Sequence, residues 1–320
     1  MASVTLEESA KLSQDQMVIG LIESIKTVSN FFAALPFMGI EGNALLYNRE
    51  LTIGTVATMG VGEDLGPQAS TGNNVAERQA AKDAATFTQV TSGLTKIIGD
   101  AEVDQMIQQT RSNMNDQTEV QIASKAKASG RKYNDMLING VAGANNEFAG
   151  LINLVPASQK VATGANGSAL TFEILDELLD KPQDKDGLVD YLMMTQASFR
   201  AFKALLRTLG GAGVPDVVQL SNGMDMPSYG GVPIFLNNYI PADTTKGATA
   251  NTTTIFAGNF DDGSQTIGIS GLTAQNQMGL HVEDVGISET KDERIWRVKW
   301  YCGLALFSEL GVASADGIIN

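Results

Sequence analysis

Two Thr-rich strand patterns separated by a long turn-rich excursion constrain this chain more than any other feature. Between Asn43 and Met59 the residues alternate: Tyr47, Arg49, Leu51, Ile53 and Met59 fall on one side, Asn48, Glu50, Thr52 and Thr58 on the other. Both sides mix polar and apolar types, so the pattern predicts a long strand that leaves the body of the protein with no clear core face. A second strand pattern, Thr86-Phe87-Thr88-Gln89-Val90-Thr91, returns only after Gly60-Val61-Gly62-Glu63-Asp64-Leu65-Gly66-Pro67 and Gly72-Asn73-Asn74. Connections of this length are uncommon in compact domains and usually serve interaction or act as lids. The segment reads as a protruding hairpin loop. It has too little apolar surface to offset its own ordering entropy, so a neighbouring copy is the natural thing for it to pack on.

The flanking patterns are helical or mixed. Val18, Leu21, Ile22, Ile25, Val28 and Phe32 recur at threes and fours, an amphipathic helix over Gln16–Phe32 that ends at Pro36. Asp100 to Asn139 is helical in composition, with a break at Ser112-Asn113-Met114-Asn115 and a cap formed by Asp116 and Glu119. A helix over Asp116–Leu137 would be about 33 Å long. Gly130 within it costs about 1 kcal/mol against Ala, which suggests close approach by another backbone. Further on, Phe172, Leu175, Leu178 and Leu179 mark a helix stopped by Pro182. A strand over Leu188–Met194 leads to Thr195 as N-cap, and the helix that follows carries Phe199, Phe202, Leu205, Leu206 and Leu209 before stopping at Gly210-Gly211. Strand patterns stand at Val217–Leu220, Val232–Leu236 and Thr254–Ala257. Two long strands, Val282–Ser288 and Glu293–Ser308, flank the turn Glu289-Thr290-Lys291-Asp292, with Trp296, Val298, Trp300 and Cys302 on one face of the second. This is an α+β chain of one or two domains.

Composition narrows the function. With 36 acidic against 22 basic residues the net charge is −14, which disfavours gripping a phosphate backbone. One Cys makes no intrachain disulfide, and one His excludes every zinc motif that needs two. No run approaches the ~18–20 apolar residues of a membrane span, and the N-terminus lacks the pattern of a secretory signal, so a cytoplasmic setting is expected. No Gly precedes a Lys, so Walker A is absent. Gly60-x-Gly62-x-x-x-Gly66 has the wrong spacing for a dinucleotide loop, and Gly210-Gly211-x-Gly213 follows a helix where such a loop follows a strand. Asp184-Lys185-Asp186-Gly187 reads as a solvated turn, since Pro182 and Met193 occupy the end positions of a calcium loop. His281 has no placed nucleophile or orienting acid, and Cys302 reads as a buried apolar thiol. The acidic pairs Asp261-Asp262 and Glu63-Asp64 could bind cations but read as solvated loops. No enzyme, no cofactor and no metal is expected.

Several motifs in collinear order resemble the major capsid protein of tailed double-stranded DNA bacteriophages, the Hong Kong 97-type fold. Leu94-Thr95-Lys96-Ile97-Ile98-Gly99-Asp100-Ala101-Glu102-Val103 resembles the strand leading into that family's spine helix. Tyr133-Asn134-Asp135-Met136-Leu137-Ile138-Asn139-Gly140 with Phe148-Ala149-Gly150-Leu151 is similar to its Asn-Gly turn and later Gly-Leu step. Leu188–Leu209 resembles the axial strand and helix, Tyr229-Gly230-Gly231-Val232-Pro233-Ile234 with Ile240-Pro241 its Gly-x-Pro segment, and Trp296–Gly311 its terminal strands. Ile255-Phe256-Ala257-Gly258-Asn259-Phe260 stands where members often read Phe-Gly-Asp-Phe.

The resemblance implies an N-terminal arm over 1–47, an extended loop over 48–84, a peripheral domain with the spine helix over 85–156, an axial domain over 157–270 and peripheral return strands over 271–320. It implies self-association into hexamers and pentamers of an icosahedral shell that encloses packaged double-stranded DNA, a virion protein assembled in the host cytoplasm. Expected partners are further copies, a scaffolding protein, a portal and possible decoration proteins, with no membrane. Charged residues at the base and along the extended loop, Arg49, Glu50, Glu63, Asp64, Arg78 and Lys82, are the expected inter-subunit contacts. Some members seal the shell by a Lys–Asn isopeptide bond from this loop. Here no Lys lies between Arg49 and Arg78, and Lys82 stands at the loop's base, so no such cross-link is expected. The arm begins almost at once, which implies a separate scaffolding protein or a removed segment. The same fold serves encapsulins, whose shells hold enzymes, and an encapsulin-like shell is the alternative reading.

Overall fold

The computed structural model describes residues 30–52, 54, 56, 84–111, 116–183, 187–208, 216–219 and 225–319. The first elements are α1 (Asn30–Ala34), β1 (Phe37–Ile40), β2 (Ala44–Thr52), β3 (Thr86–Gly93), β4 (Thr95–Asp104), α2 (Gln105–Arg111) and the long α3 (Gln117–Asn139). The middle of the chain forms α4 (Leu151–Leu154), β5 (Lys160–Val161), β6 (Ser168–Ala169), α5 (Phe172–Gln183), β7 (Tyr191–Met194) and α6 (Gln196–Thr208). Then follow β8 (Asp216–Gln219), β9 (Asp225–Tyr229), β10 (Val232–Leu236), β11 (Thr244–Lys246) and β12 (Thr249–Gly258), and last β13 (Ile269–Ala274), β14 (His281–Ile287), β15 (Glu293–Leu306) and β16 (Val312–Ile319). Most of the helix expected over Gln16–Phe32 lies outside the described residues, as do Leu209 to Gly213, Asp184 to Asp186, and Gly60 to Asn74.

The chain forms two compact units. The described part of one lies within Ile97–Lys132 and Leu280–Trp300, that of the other within Ser29–Lys96, Tyr133–Gly279 and Tyr301–Asn320. The larger unit is organised around a sheet ordered β5-β16-β12-β7-β10-β9-β8, with β6 on β16 and β11 on β12. Strand β7 is buried at all four positions, the mark of a strand covered on both faces. Leu192 and Met194 join Leu175, Leu178, Phe199, Phe202, Ile234 and Ile255 in a core under α5 and α6. On the alternate positions, Tyr191 and Phe235 meet Phe31 of α1 at ring-centroid distances of 5.0 and 5.6 Å.

Local chemistry explains the boundaries. Thr195 caps α6 by accepting from Ser198 N at 3.2 Å. Tyr229 pairs with Val232 across Gly230 and Gly231, both at positive φ, the two-residue turn that the twist of a hairpin prefers. At the end of α3 the Gly140 carbonyl accepts from Gly150 N at 2.8 Å and from Asn153 Nδ2 at 2.7 Å, and a Cβ at Gly140 would sit 2.3 Å from Phe148 O. Only glycine fits there.

Five expectations are corrected. Pro182 lies buried inside the last turn of α5, which runs on to Gln183, because its ring packs inward and only one turn remains beyond the carbonyl it disturbs. Asp100 to Asp104 is strand, not helix: Ala101 and Val103 alternate inward along β4, and Asp104 then caps α2 by accepting from Met106 N at 2.8 Å. A Cβ on Gly130 meets nothing within 4 Å among the described residues, so the close approach expected there is found at Gly140 and Gly150. Strand β2 has a definite inner face, described below. Finally, Val312–Ile319 pairs antiparallel with β12 from Gly258↔Val312 to Thr252↔Ile319, so the chain end completes the large sheet and does not stay with the return strands. Small and apolar residues, Val312 to Ala315 all buried, suit it to a place between other strands.

In the smaller unit β14 pairs antiparallel with β15 from His281↔Lys299 to Ile287↔Arg294, and β4 also pairs with β15. Asp116 opens α3 by accepting from Thr118 N at 2.9 Å and Glu119 N at 3.4 Å.

Candidate assembly surfaces

The root of the hairpin is asymmetric. Among the described residues strands β2 and β3 pair only with each other, from Ala44↔Gly93 to Thr52↔Thr86, and a lone two-strand ribbon is marginal in water. Its inner face supplies the missing support. Leu45 and Tyr47 pack with Leu94 and Met38 on a core of Ile40, Leu272, Ala305 and Phe307. The Tyr47 hydroxyl donates to Leu306 O at 2.7 Å, and its ring meets Phe307 at 5.3 Å.

Arg49 locks the same face. Its Nη2 donates to Leu306 O at 2.6 Å, its Nε to Phe307 O at 3.1 Å and its Nη1 to Glu309 Oε1 at 2.9 Å. The side chain is 13% exposed; a planar fork with fixed donors is what this three-way contact needs. The outer face carries Leu46, Asn48 and Glu50 opposite Thr91, Gln89 and Phe87. Here Leu46 is 57% and Phe87 68% exposed, and Val56 beyond them is bare.

Of the six expected contact residues, the structure thus places Arg49 inward on its own chain and Glu50 outward on the bare face. Glu63, Asp64, Arg78 and Lys82 lie outside the described residues. The inward role of Tyr47 and Arg49 was visible as their shared parity along the strand. What hid it was the charge on Arg49, which pattern reading assigns to solvent.

The smaller unit offers a charged strand surface. Arg297 makes a bidentate pair with Asp100, Nε and Nη2 each at 2.8 Å. Arg294 pairs with Asp284, and Lys299 with Glu283. Hydrogen bonding from Arg297 holds the Asp100 carboxyl below its ordinary range, and Lys299 and Arg294 do the same for Glu283 and Asp284. Met106 and Ile287 stand exposed beside this polar lattice.

The residues weighed for chemistry take structural places. His281 begins β14, exposed. Cys302 is fully buried, and burial pushes its thiol up to about 12, so it is protonated at neutral pH. Asp261 and Asp262 build a turn, accepting from Gln265 N and Ser264 N. Among the described residues no group of three His, Cys, Asp or Glu side chains is placed to hold a metal ion, and no helix is long and apolar enough to cross a membrane.

Solved structures share this architecture at low sequence identity. The SrpI encapsulin of Synechococcus elongatus PCC 7942 superimposes with a TM-score of 0.71 at 19% identity, over 99% of this chain and 96% of that one. The capsid protein of a native GTA particle gives 0.62 at 12% identity over the whole of both chains. A chain of Mycobacterium phage Adephagia gives 0.63 at 10% identity, over 100% of this chain and 99% of the other. The expected Hong Kong 97-type fold is therefore the fold observed. No curated protein sequence matches the chain. The family model described as SU10 major capsid protein matches residues 48–261, more than half of the chain, and includes the hairpin and both helices of the large sheet. The chain belongs to the SU10 major capsid protein family, as a structural component of a capsid shell.

Proposed function

We propose that copies of this chain form hexamers and pentamers of an icosahedral shell around packaged double-stranded DNA, with the extended loop over 48–84 lapping onto the neighbouring copy. The observation that carries this is the two-faced hairpin root: one face is pinned by Tyr47 and Arg49, the other leaves Leu46 and Phe87 open to a second chain. Glu50, Glu63, Asp64, Arg78 and Lys82 are its proposed polar contacts, with Arg49 setting the angle at which the loop leaves. Many moderate contacts repeated by closed symmetry hold such a wall, so no single tight interface is needed. Its −14 charge suits an inner surface that must not grip phosphates. Its role is structural, without catalysis, a metal or a cofactor. A scaffolding protein and a portal act during assembly in the host cytoplasm.

Expression of the chain with a scaffolding protein, followed by imaging and nuclease digestion, tests this. Closed shells with nuclease-protected DNA after packaging are expected; small shells that retain only protein cargo would instead support the encapsulin-like alternative, and a chain that stays monomeric under every condition would defeat both. Boiling mature shells in detergent should release 34 kDa subunits, because the loop supplies no Lys between Arg49 and Arg78 for a covalent seal.

A further inference from the structure

Helices α5 and α6 lie side by side over one face of the large sheet, Phe172 of one meeting Phe202 of the other at 6.3 Å. Both bury an apolar face, and what each turns outward is opposite in sign. On α5 the outward positions are Glu173, Asp176, Glu177 and Asp180, spaced over about two turns of helix, with Lys181 half-buried to one side. On α6 they include Arg200 and Arg207, with Lys203 held over the Phe199 ring at 4.5 Å, and the helix contains no acid at all. A charged helix face is ordinarily just a solvated one. In a chain with 36 acidic and only 22 basic residues, it is the acid-free α6 that departs from the background charge. Glu177, Asp180, Arg200 and Arg207 are exposed and form no ion pair among the described residues. Each stripe also borders a shallow cleft, one of about 460 Å³ beside Glu177 and Asp180, the other of about 530 Å³ where Arg200 stands among Ala197, Ala201 and Ala242.

We propose that the acidic face of α5 on one copy docks against the basic face of α6 on the next. The contact proposed is head to tail, each copy giving its acidic face to one neighbour and its basic face to the other; it is heterologous, unlike the reciprocal two-fold pairing of the same faces, and repeated it closes a ring instead of ending at a pair. Small residues around Arg200 let a neighbouring helix come close, and the charges set register and reject like-facing approach. This rests on the shell reading and specifies the ring contact within it.

The test uses two charge reversals of the full chain, Arg200→Glu with Arg207→Glu, and Glu177→Lys with Asp180→Lys. Every changed residue is exposed, so thermal melts of both variants should match the parent. If a reversal fails to fold, the neutral pair Arg200→Gln with Arg207→Gln replaces it. Each variant alone should lose shells roughly tenfold or more by sedimentation and imaging, since like charges face each other at every ring contact. Co-expressed in equal amounts they should recover six-membered rings, because copies alternating around an even ring restore an acidic face against a basic one at every contact; a five-membered ring cannot alternate, so the readout is ring formation by sedimentation and imaging. Variants that assemble like the parent would overturn the proposal, as would a mixture that forms no six-membered rings. Normal shells of Arg200→Glu with Arg207→Glu that hold less DNA would overturn it in favour of a nucleic-acid contact. A parent chain that never assembles would instead strike the shell reading itself.

Discussion

The large sheet beneath α5 and α6 and the ladder of β14, β15 and β4 are held by different forces. In the sheet, β7 is buried on both faces, and aromatic rings from α1, β7 and β10 close one side. In the ladder, β14 is exposed at five of its seven positions, and cross-strand charge pairs accompany the backbone bonds. Burial scales with area and tolerates salt, whereas exposed pairs contribute little each and weaken as ions screen them. The first region can hold its shape as an isolated subunit. The second is the one whose stability should respond to conditions and to neighbouring copies.

Phe31 is the sharpest place to break the first region. It is fully buried and meets Tyr191, Phe235 and Phe260 within 5.6 Å. Phe31→Ala should cost about 3–5 kcal/mol in urea unfolding of the unassembled subunit, from lost transfer energy and the cavity left behind. A loss under about 1 kcal/mol would mean that α1 does not seal this face in solution. The residue belongs to the segment expected to act as an arm. Its burial shows that this segment is anchored within its own chain.

Arg49 tests whether the hairpin root behaves like the core or like the ladder. Its side chain is nearly enclosed and donates to two carbonyls and one carboxylate, so Arg49→Ala should cost about 2 kcal/mol, within the range for charge-assisted bonds. Arg49→Lys should recover less than half, since one ammonium cannot span all three acceptors. Glu309→Gln should cost under about 1 kcal/mol, because Glu309 is 41% exposed. Equal losses for Arg49→Ala and Glu309→Gln would show that the ion pair, not the backbone lock, fixes the root.

The sequence carried some of this plainly. Strand β10 was legible to the residue, because Val232–Leu236 is apolar and bounded by a Gly-Gly turn. The cap at Thr195 and the start of α3 at Asp116 were legible because a side-chain oxygen must meet orphan helix amides. The course of β16 was not. The resemblance put its residues among the peripheral return strands, and only pairing with β12, more than fifty residues earlier, gives them their place. Sheet order is a long-range property that local periodicity does not encode. The outer face of the hairpin root was half legible: alternation separated Glu50 from Arg49, but nothing local says which face meets the chain's own body. The segregated charges of α5 and α6 were open to inspection at helical spacing, hidden only because the apolar faces drew the attention.

The ladder gives the smallest and most conditional effect. Asp100, Glu283 and Asp284 all have carboxyls held below their ordinary range, chiefly by hydrogen bonds from Arg297, Lys299 and Arg294. A carboxyl depressed on folding stabilises the native state fully above its unfolded pKa, about 4, and loses that contribution as pH falls through the lower folded value. Hydrogen-exchange protection of residues 281–299, corrected for intrinsic rates, should therefore be level from pH 7 to 5 and fall below about pH 4. Protection in α6 and β10 should hold over the same range, their core being apolar. At 1 M salt, where the screening length is about 3 Å, the ladder should lose part of its protection at pH 7 as well. If both regions lost protection together as pH fell, the two would be one cooperative body, and the contrast drawn between them would collapse.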